Sequence, residues 1–288
     1  MKFRFVDEYR ETFEVGAMCE VFEVSRSGFY AWRDRPQSHR AMESERLGVM
    51  VEQIHVKSRE IYGVPRVHAE LRARGTACGR KRIARLMRER GLRGKVKRKF
   101  RTTTKANARH AVAPNLLKRD FSAERPDQVW VGDTTYLRTQ EGWLYLAVLI
   151  DLYSRMVVGW SMGARNSEEL TLAALEMALA RRQPLLGLIH HTDRGSQYTA
   201  KTYQQQLGAR GVRASMSAKG NCYDNAAAES FFHTLKTELV DEMPFRMRSE
   251  GRAGVFDYIE VFYNRQRRHS TLAYACPAEY EARAERRA

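Results

Sequence analysis

Three carboxylates, Asp133, Asp193 and Glu229, could do chemistry as a set. Asp133 falls in the middle of VWVGDTTYL (129–137), among apolar neighbours, and a carboxylate there is costly unless it is solvated, paired or bound to a cation. Asp193 lies just past the end of another apolar run, in HHTDRGSQY (190–198). Glu229 stands in a helical stretch, GNCYDNAAAESFFHTLK (220–236). Hard oxygen donors suit Mg²⁺ or Mn²⁺, and three carboxylates can hold two such ions. Two ions about 4 Å apart activate an attacking oxygen and stabilise a leaving one, which is the chemistry of in-line phosphoryl displacement. Singly, each acid reads as a surface charge or a helix cap; the set of three points to metal-dependent chemistry on phosphate esters.

The elements that must position them follow from hydrophobic periodicity. Val129 to Leu137 alternates as a strand, 138–142 is a polar turn, and Trp143 to Ile150 is a nearly continuous apolar strand. Residues 151–155 form another turn, with Asp151 and Arg155 expected to stabilise it, and Met156 to Met162 make a third strand. Asn166 is expected to cap a helix with Glu169 as its capping-box partner, and Leu170, Ala173, Ala174 and Met177 to form its apolar face. A short strand over Leu185 to His190, a helix over Tyr203 to Leu207, a fifth strand over Val212 to Met216 and helices over 225–239 and 254–263 complete the pattern. This is an α/β unit, a mixed five-stranded sheet with helices on both faces.

The preceding part is all-α. Ser25 is placed to cap a helix carrying Arg26, Ser27, Tyr30 and Trp32 behind the short helix Met18 to Phe22, a helix-turn-helix layout. A second such unit follows: a helix closing at 52–58, a break over 61–65, a helix over 66–74, and a basic helix from Arg80 to Arg90 that stops at Gly91. Ile83, Leu86 and Met87 face inward there, and Arg82, Arg85 and Arg88 outward. The expected regions are 1–50 and 51–108, both helix-turn-helix, the second ending in a basic linker, and 122–286, the catalytic core.

Charge supports the same division. The chain of 288 residues has a formal net charge of +16. Between Leu71 and His110 sixteen Lys or Arg stand against one acid, Glu89, so nearly all the excess lies in one stretch. Such a block favours a polyanion, because each neutralised phosphate releases a counterion. Arg26, Arg80, Lys81, Arg82, Arg85, Arg88, Lys95, Lys97, Arg98 and Lys99 are the candidate nucleic-acid contacts, better suited to phosphate than to base reading. Asn225, one turn before Glu229, is a candidate DNA contact or helix cap. Gly195, Ser196 and Gln197 are a candidate phosphate-facing loop. Arg267, with Tyr263, Asn264 and His269, is a candidate lining for the DNA side, although His269 reads equally as a packed histidine. The four cysteines are far apart with no CxxC pair, so neither a zinc ribbon nor a disulfide framework is suggested. No apolar run approaches a membrane span, and MKFRFVDEYRETFEV has no signal pattern, so a cytoplasmic protein is expected.

Thirty-five residues, 194–228, separate Asp193 from Glu229. This spacing resembles the D, D(35)E signature of retroviral integrases and related transposases. The words VWVGDTTYL, IDLYSRMVVGW, HHTDRGSQY, SMSAKGNCYDNAAAESFFHTLKTEL and YNRQRRHSTLAYACPAEYE, with SRSGFYAW and IYGVPRVHAELR further upstream, resemble the second-frame product of the IS-three insertion-sequence family. The resemblance covers nearly the whole chain, departs in details such as Thr192 where the family often has serine, and lacks the zinc module of retroviral integrases. It implies an RNase H-like core with Asp133, Asp193 and Glu229 as a metal-binding triad for two Mg²⁺ or Mn²⁺ ions. It also implies a role for Lys236, two helical turns past Glu229 on the same face. The implied activity is that of a DDE transposase, which cleaves and joins DNA at the ends of a mobile element. Implied partners are the terminal inverted repeats, target DNA, further copies of the chain on DNA, and the helix-turn-helix product of an upstream frame or a frameshift fusion with it. The alternatives are a catalytically silent DNA-binding regulator of transposition and another RNase H-like nuclease.

Overall fold

The computed structural model describes residues 1–95, 113–117, 120, 122–217, 225–240 and 245–286. At the N-terminus α1 (Lys2–Glu8), α2 (Val15–Val21) and α3 (Arg26–Arg33) enclose a small core of Val6, Met18, Cys19 and Phe29. Glu23, with φ 52°, turns the chain between α2 and α3. The Ser25 hydroxyl then accepts the Gly28 N–H at 3.0 Å, filling one of the unmet donors of α3. The expected helix-turn-helix pair is therefore present.

The next helices are α4 (His39–Lys57), α5 (Val64–Ala73) and α6 (Arg80–Glu89). Helix α4 runs unbroken past residue 50, so the border expected at 50/51 falls inside a helix; α4 packs with α5 and α6. Pro65 belongs to the first turn of α5 rather than to the break before it, because a first-turn N–H has no helical acceptor to lose. The break itself is anchored by Ile61 and Tyr62, both buried. Ile83, Leu86 and Met87 face inward from α6 as expected, and Gly91 ends that stretch at φ +67°, a left-handed position that glycine tolerates.

The five strands are β1 (Val129–Thr139), β2 (Gly142–Asp151), β3 (Val157–Gly163), β4 (Ile189–Thr192) and β5 (Arg213–Met216), in the order β3-β2-β1-β4-β5. The first three are antiparallel neighbours, while β4 and β5 run parallel to β1. Helices α7 (Glu168–Arg182), α8 (Ser196–Thr199) and α9 (Lys201–Ala209) pack with Trp130, Ala147, Leu149 and Val158 on one face. Helices α10 (Ala226–Glu238) and α11 (Arg248–Phe256) cover Val131, Leu137, Leu146 and Val148 on the other; α12 (Pro277–Glu285) closes the chain. Gly159 admits α7 closely, since a Cβ there would stand 2.3 Å from the Ala174 carbonyl.

The apolar cluster under α10 and α11 is continuous with that of α4 to α6. Val67 and Leu71 are fully buried in it, each contributing about 1.5–3 kcal/mol of burial. Polar bonds cross the same boundary: the Tyr62 hydroxyl donates to the Gln266 carbonyl at 3.1 Å and accepts the Arg268 N–H at 2.7 Å, and Arg268 pairs with Glu70 at 2.8 Å.

Three local expectations are corrected. The N-cap of α7 is Ser167, one residue after Asn166, and Glu169 bonds back to Ser167. Ala173 is exposed, because the apolar face of α7 runs through Leu170, Ala174, Leu175, Ala178 and Leu179. Strand β4 starts only at Ile189, where pairing with β1 begins; Leu185 and Leu186 are exposed in the preceding turn. Among the described residues no helix is long and apolar enough to cross a membrane.

Candidate active site

The sheet brings Asp133 and Asp193 toward each other. Strand β4 pairs with β1 only from Val129 to Val131, so the two strands part just before Asp133, and the chain leaves β4 at Asp193. Gly132 lets them approach: a Cβ there would lie 2.7 Å from His190 Cε1. The strand end is held on the β5 side, where the His191 ring bonds the Ser215 hydroxyl at 2.8 Å and the Ser217 hydroxyl at 3.2 Å. Asp193 Oδ1 accepts the Gly195 N–H at 2.9 Å, so the expected phosphate-facing loop first serves to fix this carboxylate. Gly195 also caps α8.

Helix α10 crosses the same end of β1. Phe231 and Leu235 anchor it in the core while Glu229 lies in its first turn and Lys236 in its last. The other three groups act on Asp133. Burial pushes the Asp133 carboxyl well above the usual range; the charges of Asp193 and Glu229 push it further, and Lys236 and the Thr134 N–H pull it down. Burial raises Asp193 against the opposing Gly195 N–H, and burial raises Glu229. Burial lowers Lys236, with Asp133 opposing. Tyr198 is buried next to this group; its hydroxyl is raised first by burial, then by Tyr203, Asp133 and Asp193. Among the described residues no three His, Cys, Asp or Glu side chains stand grouped closely enough to hold a metal ion between them. Asp133, Asp193 and Glu229 are hard donors, and the charges of the other two raise Asp133. That arrangement fits a cation such as Mg²⁺, which keeps waters and takes substrate phosphates beside one or two carboxylates instead of filling a protein cage.

The remaining expected residues divide. Asp151 is fully buried, accepting the Ser154 N–H at 2.9 Å and the Asp127 N–H at 2.7 Å, and it secures the β2–β3 turn as expected, where Arg155 takes φ 61°. Arg26, Arg80, Lys81, Arg85 and Arg88 are exposed. Arg82 is not a free outward cation: it donates to Glu43 at 3.2 Å and Ser44 at 3.0 Å, tying α6 to α4. Lys95 Nζ donates to the Glu238 carbonyl at 3.3 Å. Lys97, Arg98 and Lys99 lie outside the described residues. Asn225 precedes α10 without a side-chain cap, and its Oδ1 is buried with no partner among the described residues.

Arg267 corrects a second expectation. It is 4 % exposed and grips Glu238 with Nε and Nη2, both at 2.6 Å, so it presents no surface to a phosphate. Burial opposes its charge, and the Glu238 hydrogen bonds and charge outweigh burial and raise its pKa. The Tyr258 hydroxyl also bonds Glu238 at 2.8 Å, and Arg66 of α5 stands 3.7 Å away. Asn264 clamps β3 through both Val157 backbone groups at 3.0 Å, reached because 257–263 continue α11 as a wider π-helical turn. His269 is a packed histidine, edge-on to Tyr263 at 4.8 Å, its pKa lowered to about 2 by burial and by Arg267, Arg66 and Arg155. The Glu238 cluster was missed because its members are spread over 66, 238, 258 and 267, with no local spacing to connect them.

The Integrase core domain family matches residues 123–222 and again 229–284, and the HTH-like domain family matches 43–100. The Insertion element IS600 uncharacterized 31 kDa protein of Shigella sonnei is 50% identical over 91% of this chain and 97% of its own length. Transposase InsF for insertion sequence IS3A of Escherichia coli K12 is 47% identical over 98% of both chains. Among solved structures, a chain of the simian T-cell lymphotropic virus intasome in complex with PP2A regulatory subunit B56 gamma matches with TM-score 0.47 at 16% identity, covering 80% of this chain and 74% of the other. The HTLV-2 integrase catalytic core in complex with magnesium matches with TM-score 0.40 at 18% identity, covering 55% and 98%. With near full-length identity of this order, the chain belongs to the insertion-sequence transposase family of InsF and is a DNA transposase with an integrase-type core.

Proposed function

We propose that Asp133, Asp193 and Glu229 hold two divalent ions, Mg²⁺ or Mn²⁺, and that Lys236 holds a neighbouring phosphate during cleavage and joining of element ends. The observation that carries this reading is the combined action of Asp193, Glu229 and Lys236 on the half-buried Asp133 carboxyl. Bound there, the ions supply Lewis-acid stabilisation of the entering and leaving oxygens of a phosphodiester. The chain does the positioning. Asp133 is fixed on the central strand, Asp193 is oriented by the Gly195 N–H, and α10 sets Glu229 and Lys236 on one face. Lys236 contributes a cation that offsets phosphate charge without ligating metal.

Exposed Arg80, Lys81, Arg85 and Arg88 on α6, with Arg26 on α3, are the proposed backbone contacts to the duplex. Residues 1–33, α4 to α6 and the core from 122 to 286 are the proposed working regions. The proposed setting is the cytoplasm, with several copies assembled on element ends and an upstream-frame product as a further partner.

The test is cleavage and joining of cognate element ends with Mg²⁺, with and without the upstream product. Asp193→Asn and Glu229→Gln are expected to abolish both reactions and leave duplex binding in place. Cleavage retained by either variant overturns the assignment.

A further inference from the structure

Beyond Val131 the β1 strand has lost its β4 partner, and two large aromatics stand on the face of the hairpin opposite Asp133. Tyr136 and Trp143 are each 46% exposed, although rings of this size carry a large apolar area. They are edge to face, centroids 4.8 Å apart at 71°. Tyr136 is directly opposite Tyr145 across the hairpin, which places Trp143 on its diagonal, within reach of a long side chain. Tyr145 backs the pair at 6.4 Å.

Lys236 links this patch to the carboxylates. Its ammonium lies 5.0 Å over the Tyr136 ring, and its charge also acts on Asp133. The side chain therefore spans the open edge of β1. Further cations rim the patch: exposed Arg138 is opposite Trp143, and Arg248 donates from Nε to the Trp143 carbonyl at 3.2 Å. Glu141 is the nearby acid, accepting the Arg248 N–H at 2.7 Å. Exposed aromatic faces ringed by cations match the two halves of a nucleotide, an apolar base and an anionic phosphate.

We propose that Tyr136 and Trp143 form a stacking site for an unpaired nucleobase flanking the phosphodiester that Asp133, Asp193 and Glu229 act on. The site rests on that reading of the carboxylates. In-line attack needs access to the phosphodiester, and an end whose last pairs have opened offers it. Opening costs stacking energy, and an aromatic platform about three residues along β1 from Asp133, roughly 10 Å, restores part of it. Stacking tolerates any base, so the site adds affinity for frayed ends without reading their sequence.

The test uses the full chain and duplexes of the element's terminal repeat carrying 2-aminopurine at each of the last positions in turn. Binding is expected to quench the probe at one or two positions beside the cut. Tyr136→Ala and Trp143→Ala are expected to remove the quenching and weaken end binding about tenfold. Tyr136→Phe and Trp143→Phe keep both, and a thermal melt checks that each variant folds. Quenching that persists in the alanine double variant overturns the site. So does a loss of assembled mass in light scattering with quenching unchanged, which makes the aromatics a contact between copies of the chain. Asp193→Asn separates the two readings: continued cleavage by that variant sinks the carboxylate assignment, whereas the quenching measurement needs no chemistry.

Discussion

Arg267→Ala tests whether the last turn of the catalytic helix is held by a buried ion pair. The substitution removes two short charge-assisted bonds to Glu238 and the packing of the guanidinium against Tyr263, 5.7 Å from its centroid. Glu238 would remain with its side chain only 6% exposed. Removing one partner of a buried pair costs about 3–5 kcal/mol, because the other charge stays desolvated. Arg66 at 3.7 Å and the Tyr258 hydroxyl still face the carboxylate, so the lower end, about 3 kcal/mol, is expected. For a chain of this size that lowers Tm by roughly 6–10 °C. Urea unfolding followed by circular dichroism measures the change, and duplex binding below the transition should match wild type. The double variant Arg267→Met, Glu238→Leu should recover part of the loss, since only Arg66, with its side chain 25% exposed, and the Tyr258 hydroxyl then lack the Glu238 carboxylate. Unchanged Tm together with weakened DNA binding would refute the reasoning and return Arg267 to the DNA surface.

Lys236→Ala should weaken joining of ends more than it shifts the Mg²⁺ requirement, and Lys236→Arg should be milder; joining equal to a Lys201→Ala control would show that Lys236 takes no part. Replacing exposed Lys81, Arg85 and Arg88 by Ala should flatten the salt dependence of duplex binding by roughly one unit of log–log slope per lost phosphate contact. Arg82→Ala should instead lower stability and leave the slope alone, because its partners are Glu43 and Ser44; the opposite pattern in a salt titration rejects the distinction. Burial lowers His190 to about 3 and His269 to about 2, below their unfolded value near 6.5. Their contribution is therefore complete above pH 6.5 and is lost as pH falls toward 3. Together they remove up to about 4 kcal/mol between pH 7 and pH 5, against the opposite trend of the raised Asp133 and Asp151 carboxyls; a His269→Gln variant whose urea midpoint falls with pH as steeply as wild type counts against a buried neutral imidazole.

What was legible in the sequence was periodic or local. The alternation around Asp133, the inward stripe of α6 and the Ser25 cap all depend on neighbours within one element, and each is present in the structure. Strand β4 was misplaced because Leu185 and Leu186 are apolar yet exposed, while the strand itself holds the polar run His190, His191 and Thr192. Arg267 was misassigned because an arginine in a basic run looks solvated until a distant glutamate is found to face it. The Tyr136–Trp143 pair had a faint signal, an aromatic between Thr134 and Arg138 on one register of β1, but its meaning depends on Lys236 a hundred residues later. The spacing of Asp193 and Glu229 carried the family resemblance, and their geometry required the sheet.

The contacts among α5, Lys95 and the core also bear on how such a chain can change over generations. Glu70, Arg66 and Tyr62 each have their counterpart in the segment from 238 to 268, and the apolar cluster passes beneath them without interruption. A helical region joined this way is not a cassette. Grafting another relative's α4 to α6 onto this core would leave buried charges facing strangers, so change in this region has to arise by substitutions on its exposed side, or by exchange of both halves at once. Chimeras cut at residue 120 should misfold unless residues 238 and 268 travel with the helices.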